Sequence, residues 1–195
     1  GAMCCGNLRQ VGVQMAMYPA DHNGYSVPAD FGGEIDNWMN YLSAEYEGSP
    51  DLFRCPSVAR DDCFNPYGGN RRPYDRVTAA SYVMNTIRRG AWTGASLNSP
   101  PSEISGWCDG TGQPALLTAV TRPSAKIVVV DGLAGLKTGD ARGIMRFMET
   151  DHGDVTGQRD AGLHHERGFN ELRGDMHAGW CGGMTRDEYW AAVEW

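Results

Sequence analysis

Four of the five histidines fall in the last third of the chain. His152, His164, His165 and His177 share that stretch with Asp151, Asp154, Asp160, Glu166 and Asp175, and imidazole with carboxylate is a common ligand set for zinc or iron. A metal-dependent hydrolase using His164, His165, His177 and Asp175 is therefore one reading. The spacing argues against it. His164-His165-Glu166 lacks the four-residue helical separation of a His-Glu-x-x-His motif, and adjacent residues on a strand point to opposite faces. Calcium suits the residues better, because Asp151, Asp154 and Asp160 place hard oxygen ligands in a glycine-bearing loop. That loop has neither the Asp-x-Asp-x-Asp-Gly start nor the closing glutamate of an EF-hand.

Nucleophile chemistry finds little support. The chain contains no Gly-x-Ser-x-Gly elbow, no phosphate-cradling Gly-x-x-x-x-Gly-Lys and no Gly-x-Gly-x-x-Gly after a strand. Asp109-Gly110-Thr111-Gly112 has the residues of an aspartic-protease motif in the wrong order and reads as a turn. There is no Cys-x-x-Cys pair, so the six cysteines fit disulfides of an oxidising compartment better than a zinc ribbon. Cys55 and Cys63 can close a short loop and Cys108 can meet Cys181; six cysteines allow fifteen pairings. Trp180, Trp190 and Trp195 offer either a sugar-stacking platform, which would make the chain an exported carbohydrate-binding domain, or core packing, which is the preferred reading.

The elements that must position these residues begin with a helix. Leu8, Val11, Met15 and Tyr18 recur at three- and four-residue steps, which places them on one face, and Asn23-Gly24 ends the helix. Trp38, Tyr41, Leu42 and Tyr46 predict a short second helical piece. Residues 55–76 are rich in Pro, Gly, Asn and Asp and read as a long surface loop, and residues 86–114 read as an irregular insertion. Strands are predicted at Ala80–Met84, Leu116–Val120, Ile127–Val130, Ile144–Met148, Phe169–Leu172 and Met176–Trp180. Helix first and strands later predicts an α+β fold: an N-terminal α-helix packed on an antiparallel β-sheet, with long loops.

These residues also carry a resemblance. Cys4, Asn7, Leu8, Arg9, Gln10, Val11, Gly12, Tyr18, Gly24 and Tyr25 follow the order seen at the start of the soluble region in prepilin-like proteins of the type II secretion pseudopilin class, in a group common in planctomycete- and lentisphaera-type bacteria. Further matches are Trp38 with Leu42, Phe53-Arg54-Cys55-Pro56-Ser57, Ser81-Tyr82-Val83-Met84-Asn85, Pro123-Ser124, and Val128-Val129-Val130-Asp131-Gly132. Near the end His165 and Asp175 stand with nine residues between them, like the family's histidine-then-Asp-Gly signature. Here Met176 follows Asp175 and the glycine, Gly174, precedes it, which predicts a II′ hairpin turn. The resemblance implies a pilin-like fold. It also places Cys4 at the family's helix position, within reach of Cys55, and major pseudopilins often bind calcium in a late loop.

Composition sets the remaining bounds. The 195 residues suit one domain, and Gly1-Ala2-Met3 reads as the scar of a cleaved expression tag, leaving residues 4–195 as the domain. No run approaches the roughly 18 apolar residues that span a bilayer, so the expected family membrane helix would lie upstream of the cloned piece. A net charge of -7 with no basic stripe argues against nucleic-acid binding. The leading expectation is a non-enzymatic pseudopilin or pilin-like subunit. Its head would lie in the periplasm or on the cell surface, anchored in the cytoplasmic membrane and assembling with other pilin subunits into a filament; the isolated head would be mainly monomeric.

Overall fold

A computed structural model describes residues 2–28, 37–60, 63, 76–85, 116–120, 122–131, 144–145 and 168–182. The first helix, α1 (Ala2–Asp21), takes its orientation from the spacing of its apolar residues: Cys4, Leu8, Val11, Met15 and Tyr18 are all buried. Each fully buried side chain of this size contributes about 1.5–3 kcal/mol, so this face outweighs any intrinsic helix preference. Asn23 (φ 53°) and Gly24 (φ 82°) turn left-handed after the last turn, and the Gly24 amide donates to the Pro19 carbonyl at 2.8 Å. The Asn-Gly pair thus ends the helix as its chemistry requires.

The second helix, α2 (Trp38–Glu45), is capped by Asn37, whose side chain accepts from the Asn40 amide. Trp38 and Leu42 are fully buried, and Trp38 meets Phe53 edge to face at 5.5 Å. A short 3-10 turn at Pro50–Phe53 follows, capped by Ser49. Phe53 is buried, and so is Cys55, the first residue of the stretch read as a surface loop; they begin the tie between α1 and the sheet.

Among the described residues five strands form one sheet: β1 (Tyr82–Asn85), β2 (Ile127–Asp131), β3 (Ile144–Met145), β4 (Gly168–Arg173) and β5 (Ala178–Gly182), in the order β3-β1-β2-β4-β5. The pairs β1–β2, β2–β4 and β4–β5 are antiparallel, as predicted, whereas β3 runs parallel to β1. A parallel pairing depends on distant chain segments and leaves no local signature. The α+β class holds, with α1 laid against β4 and β5 and one hydrophobic cluster joining α1, α2 and the sheet. Every residue of β2 is buried, which is why Ile127–Val130 reads as a continuous apolar run.

Two strand expectations are corrected. Leu116–Val120 is not a strand: Leu117–Ala119 forms a 3-10 turn, and only Leu116 makes a β-bridge, to Tyr25. A short apolar run does not distinguish strand from turn by periodicity, and among the described residues one bridge is all the pairing this run makes. The last strand starts at Ala178 rather than Met176, because Met176 lies in the hairpin loop. The II′ turn is replaced as well. Arg173 pairs with His177, the Met176 amide donates to the Arg173 carbonyl at 2.8 Å, and the left-handed residue is Met176 (φ 63°) rather than Gly174. A three-residue loop with its third residue left-handed is the alternative hairpin geometry. Asp175 supports it by accepting the His177 amide at 3.1 Å.

Candidate functional site

α1 has two faces of different character. Its inner face is the core stripe already described, and Gly12 brings it unusually close to the sheet. A Cβ at Gly12 would lie 2.8 Å from Leu172 Cδ1 and 3.3 Å from the Met176 carbonyl oxygen. The outer face exposes Met3 (71%), Val13 (61%) and Met17 (47%), and nothing lies within 4 Å of where a Cβ on Gly6 would be. Gln10 is exposed on that side too.

The N-terminal half of α1 is fastened by residues that the sequence singles out. Cys4 and Cys55 form a disulfide, so the local Cys55–Cys63 closure does not occur. Cys4 is already covered by its place on the buried face of α1, next to the buried Phe53-Cys55 segment, which favours the long-range bond. Asn7 Nδ2 donates to the Arg54 carbonyl at 2.9 Å, and Tyr82 Oη donates to the Cys4 carbonyl at 3.1 Å. Burial drives the Tyr82 hydroxyl well above the ordinary tyrosine pKa, with the Asp131 charge adding to the shift. Ser81 completes the joint, its hydroxyl accepting the Cys55 amide at 2.7 Å while its own amide donates to the Phe53 carbonyl at 3.0 Å. Helix, disulfide segment and β1 are thereby joined at one point.

At the other end of α1, Tyr18 stacks on His22 with ring centroids 3.8 Å apart, and His22 Nε2 shares a 2.9 Å hydrogen bond with Tyr41 Oη. Tyr46 Oη donates to Asp21 Oδ2 at 3.2 Å; burial and that bond raise its pKa. These contacts attach α2 to the helix end.

Deeper in the sheet, Asp131 is fully buried and accepts both the Asn170 amide (2.8 Å) and Asn170 Nδ2 (2.6 Å). Glu171 is also buried, its Oε1 held by Arg173 Nε at 2.6 Å and Nη2 at 2.5 Å. Its pKa is nevertheless raised, because desolvation outweighs the attraction of Arg173. Arg173 also donates to the Ser124 carbonyl at 3.0 Å, tying the hairpin to the segment before β2. Sequence reading overlooked Asn170 and Glu171. Two polar residues in succession inside Phe169–Leu172 were the available signal, since one of them had to face the core.

The structure brings Cys4, Asn7, Leu8, Gly12, Tyr18, Cys55, Asp131 and Asp175 into structural roles, while Gln10 and Pro56 are exposed. Gly132, His165, Cys108 and the proposed calcium residues Asp151, Asp154 and Asp160 lie outside the described residues, as do His152, His164, Trp190 and Trp195. Asp175 lies in the hairpin loop, and His177 closes that loop by pairing with Arg173. Cys181 sits on β5, opposite Phe169. Among the described residues no group of three or more His, Cys, Asp or Glu is placed to hold a metal ion, and no helix is long and apolar enough to cross a membrane. Comparison with protein-family models, curated proteins and solved structures finds no match for this chain.

Proposed function

We propose that this chain is the head of a non-enzymatic, pilin-like subunit that is anchored in the cytoplasmic membrane by an upstream helix and assembles into a type II secretion or type IV pilus-like filament. The observation that carries this reading is the division of α1 into a face sunk in the core and an opposite face exposing Val13 and Met17. An exposed apolar stripe along one helix loses free energy to water until another surface covers it. Copies packed side by side along α1 would cover it, and the joint at Cys4, Asn7, Cys55 and Tyr82 would hold the helix to the head during assembly.

The test is cross-linking in the cell envelope. A photo-reactive residue replacing Val13 in the full-length protein should yield a ladder of multiples of the subunit mass. A product confined to the monomer would sink the reading.

A further inference from the structure

Among its 20 residues α1 holds one cation, Arg9, and one anion, Asp21, and both are exposed. At 3.6 residues and 5.4 Å per turn they stand about 18 Å apart along the axis and about 120° apart around it. Val13 and Met17 fall between them in angle, so the exposed apolar strip has one positive margin and one negative margin. These margins adjoin different parts of the head. Arg9 lies one turn from Cys5 and from Gly12; Cys5 Sγ donates to the Ala178 carbonyl of β5 at 3.4 Å, and Gly12 meets Met176 of the hairpin. Asp21 is held on the α2 side, where Tyr46 Oη donates to it. Burial raises the pKa of Tyr41, and Glu45 and Asp21 both add to the shift, which sets a second exposed carboxylate at this end. Arg9 makes no ion pair among the described residues.

Two copies can lay these faces together in three ways, and charge separates them. An antiparallel two-fold pair sets like margin against like margin. A parallel pair in register sets opposite margins together but leaves Arg9 and Asp21 about 18 Å apart along the axis, more than twice the Debye length of about 8 Å at physiological salt. A parallel pair staggered by that same rise brings Arg9 of one copy level with Asp21 of the other. The stagger also brings Met17 level with Gly6 to within one residue's rise, and nothing lies within 4 Å of where a Gly6 Cβ would be.

We propose that the exposed face of α1 takes a second copy of this chain as its partner, parallel and displaced by about 18 Å along the helix, with Arg9 of one copy paired to Asp21 of the next. This rests on the filament reading above and specifies its register. The contact is heterologous: it uses the positive margin of one chain and the negative margin of the other. One margin of each sign is left unused at the two ends, so growth continues instead of closing at a dimer. An exposed ion pair adds little affinity but selects between packings. Val13 and Met17 supply the burial, and the pair sets the register.

Charge exchange in the full-length protein tests the register, read by the ladder from a photo-reactive residue at Val13. Arg9→Glu and Asp21→Lys should each lower the multimer bands roughly three- to tenfold, because an attraction becomes a repulsion at every contact. Asp21→Asn keeps an acceptor for the Tyr46 hydroxyl and should lower them by a smaller factor. Arg9→Glu and Asp21→Lys carried together in one chain should restore the bands. Within a chain the two sites are about 18 Å apart along the axis, so recovery reports contact between copies and not repair of the head. A parent protein that gives no ladder overturns the filament reading and this register with it. A parent ladder that either single exchange leaves unchanged, or that the double exchange fails to restore, overturns the register alone.

Discussion

Gly12 of α1 and Met176 at the tip of the β4–β5 hairpin meet almost backbone to backbone. A Cβ built on Gly12 would lie 3.3 Å from the Met176 carbonyl oxygen and 3.6 Å from its Cβ. The glycine is thus the point at which the helix rests on the hairpin.

Replacing Gly12 with alanine should destabilise the protein by about 1–3 kcal/mol, as overpacking does, because the Cβ would fall 2.8 Å from Leu172 Cδ1 and the Met176 backbone limits retreat. Gly6→Ala is the control. Its Cβ meets nothing within 4 Å, so it should stabilise by roughly 0.5–1 kcal/mol through helix propensity alone. Urea denaturation of the pair reads the contrast; equal effects would show that the close approach at Gly12 is unimportant.

Met176 holds the left-handed conformation at φ 63°, which costs an L-residue with a side chain about 1–2 kcal/mol. Met176→Gly and Met176→Ala both remove the thioether, so the difference between them isolates the backbone. The glycine variant should be more stable by about 1 kcal/mol. Thermal melts of the two proteins decide it.

The Cys4–Cys55 disulfide closes a loop with a sequence separation of 51. Chain entropy sets its contribution at about 4 kcal/mol. Cys4→Ala with Cys55→Ala should lose that amount in denaturant titrations. Both cysteines are fully buried, so a mild reductant should leave the native protein oxidised and act only once it unfolds.

Glu171 makes stability depend on pH in a direction opposite to most ion-paired carboxylates. Its folded pKa lies above the ordinary value of 4.5. Between those two values the folded state binds more protons than the unfolded state, so stability falls as pH rises through the window. Glu171→Gln should flatten that slope when denaturation midpoints are measured from pH 4 upward. An unchanged slope would assign the pH dependence to another group.

Val13→Glu and Met17→Glu alter only the exposed face of α1. Each should change stability by no more than about 0.5 kcal/mol while abolishing the cross-linked ladder. Retention of the ladder would remove this face from assembly.

Residues whose fate is decided by local periodicity were legible in the sequence. Leu8, Val11, Met15 and Tyr18 announced the buried face of α1, and Ile127–Val130 announced the central strand. Pairing between distant segments was not: the parallel contact of Met84 with Ile144 has no local mark. Met176 was hidden for another reason, since its left-handed backbone goes against its residue type and only the hairpin around it imposes the conformation. Of the buried polar pair in the sheet, Asp131 stood in a recognisable motif, whereas Asn170 gained meaning only when the fold set it against Asp131. The proposed calcium residues, Asp151, Asp154 and Asp160, lie outside the described residues and stand as a sequence expectation.

The joint at Cys4 also has a mechanical meaning. A pull along the N-terminal end of α1 reaches Cys55 through a covalent bond and passes from there to Ser81 at the edge of β1 through two hydrogen bonds, Cys55 amide to Ser81 hydroxyl and Ser81 amide to Phe53 carbonyl. Tension is delivered to the sheet at one anchored point, so the helix cannot be peeled from the sheet turn by turn while that bond is intact. Reduction would convert this tether into a zipper that opens at much lower force.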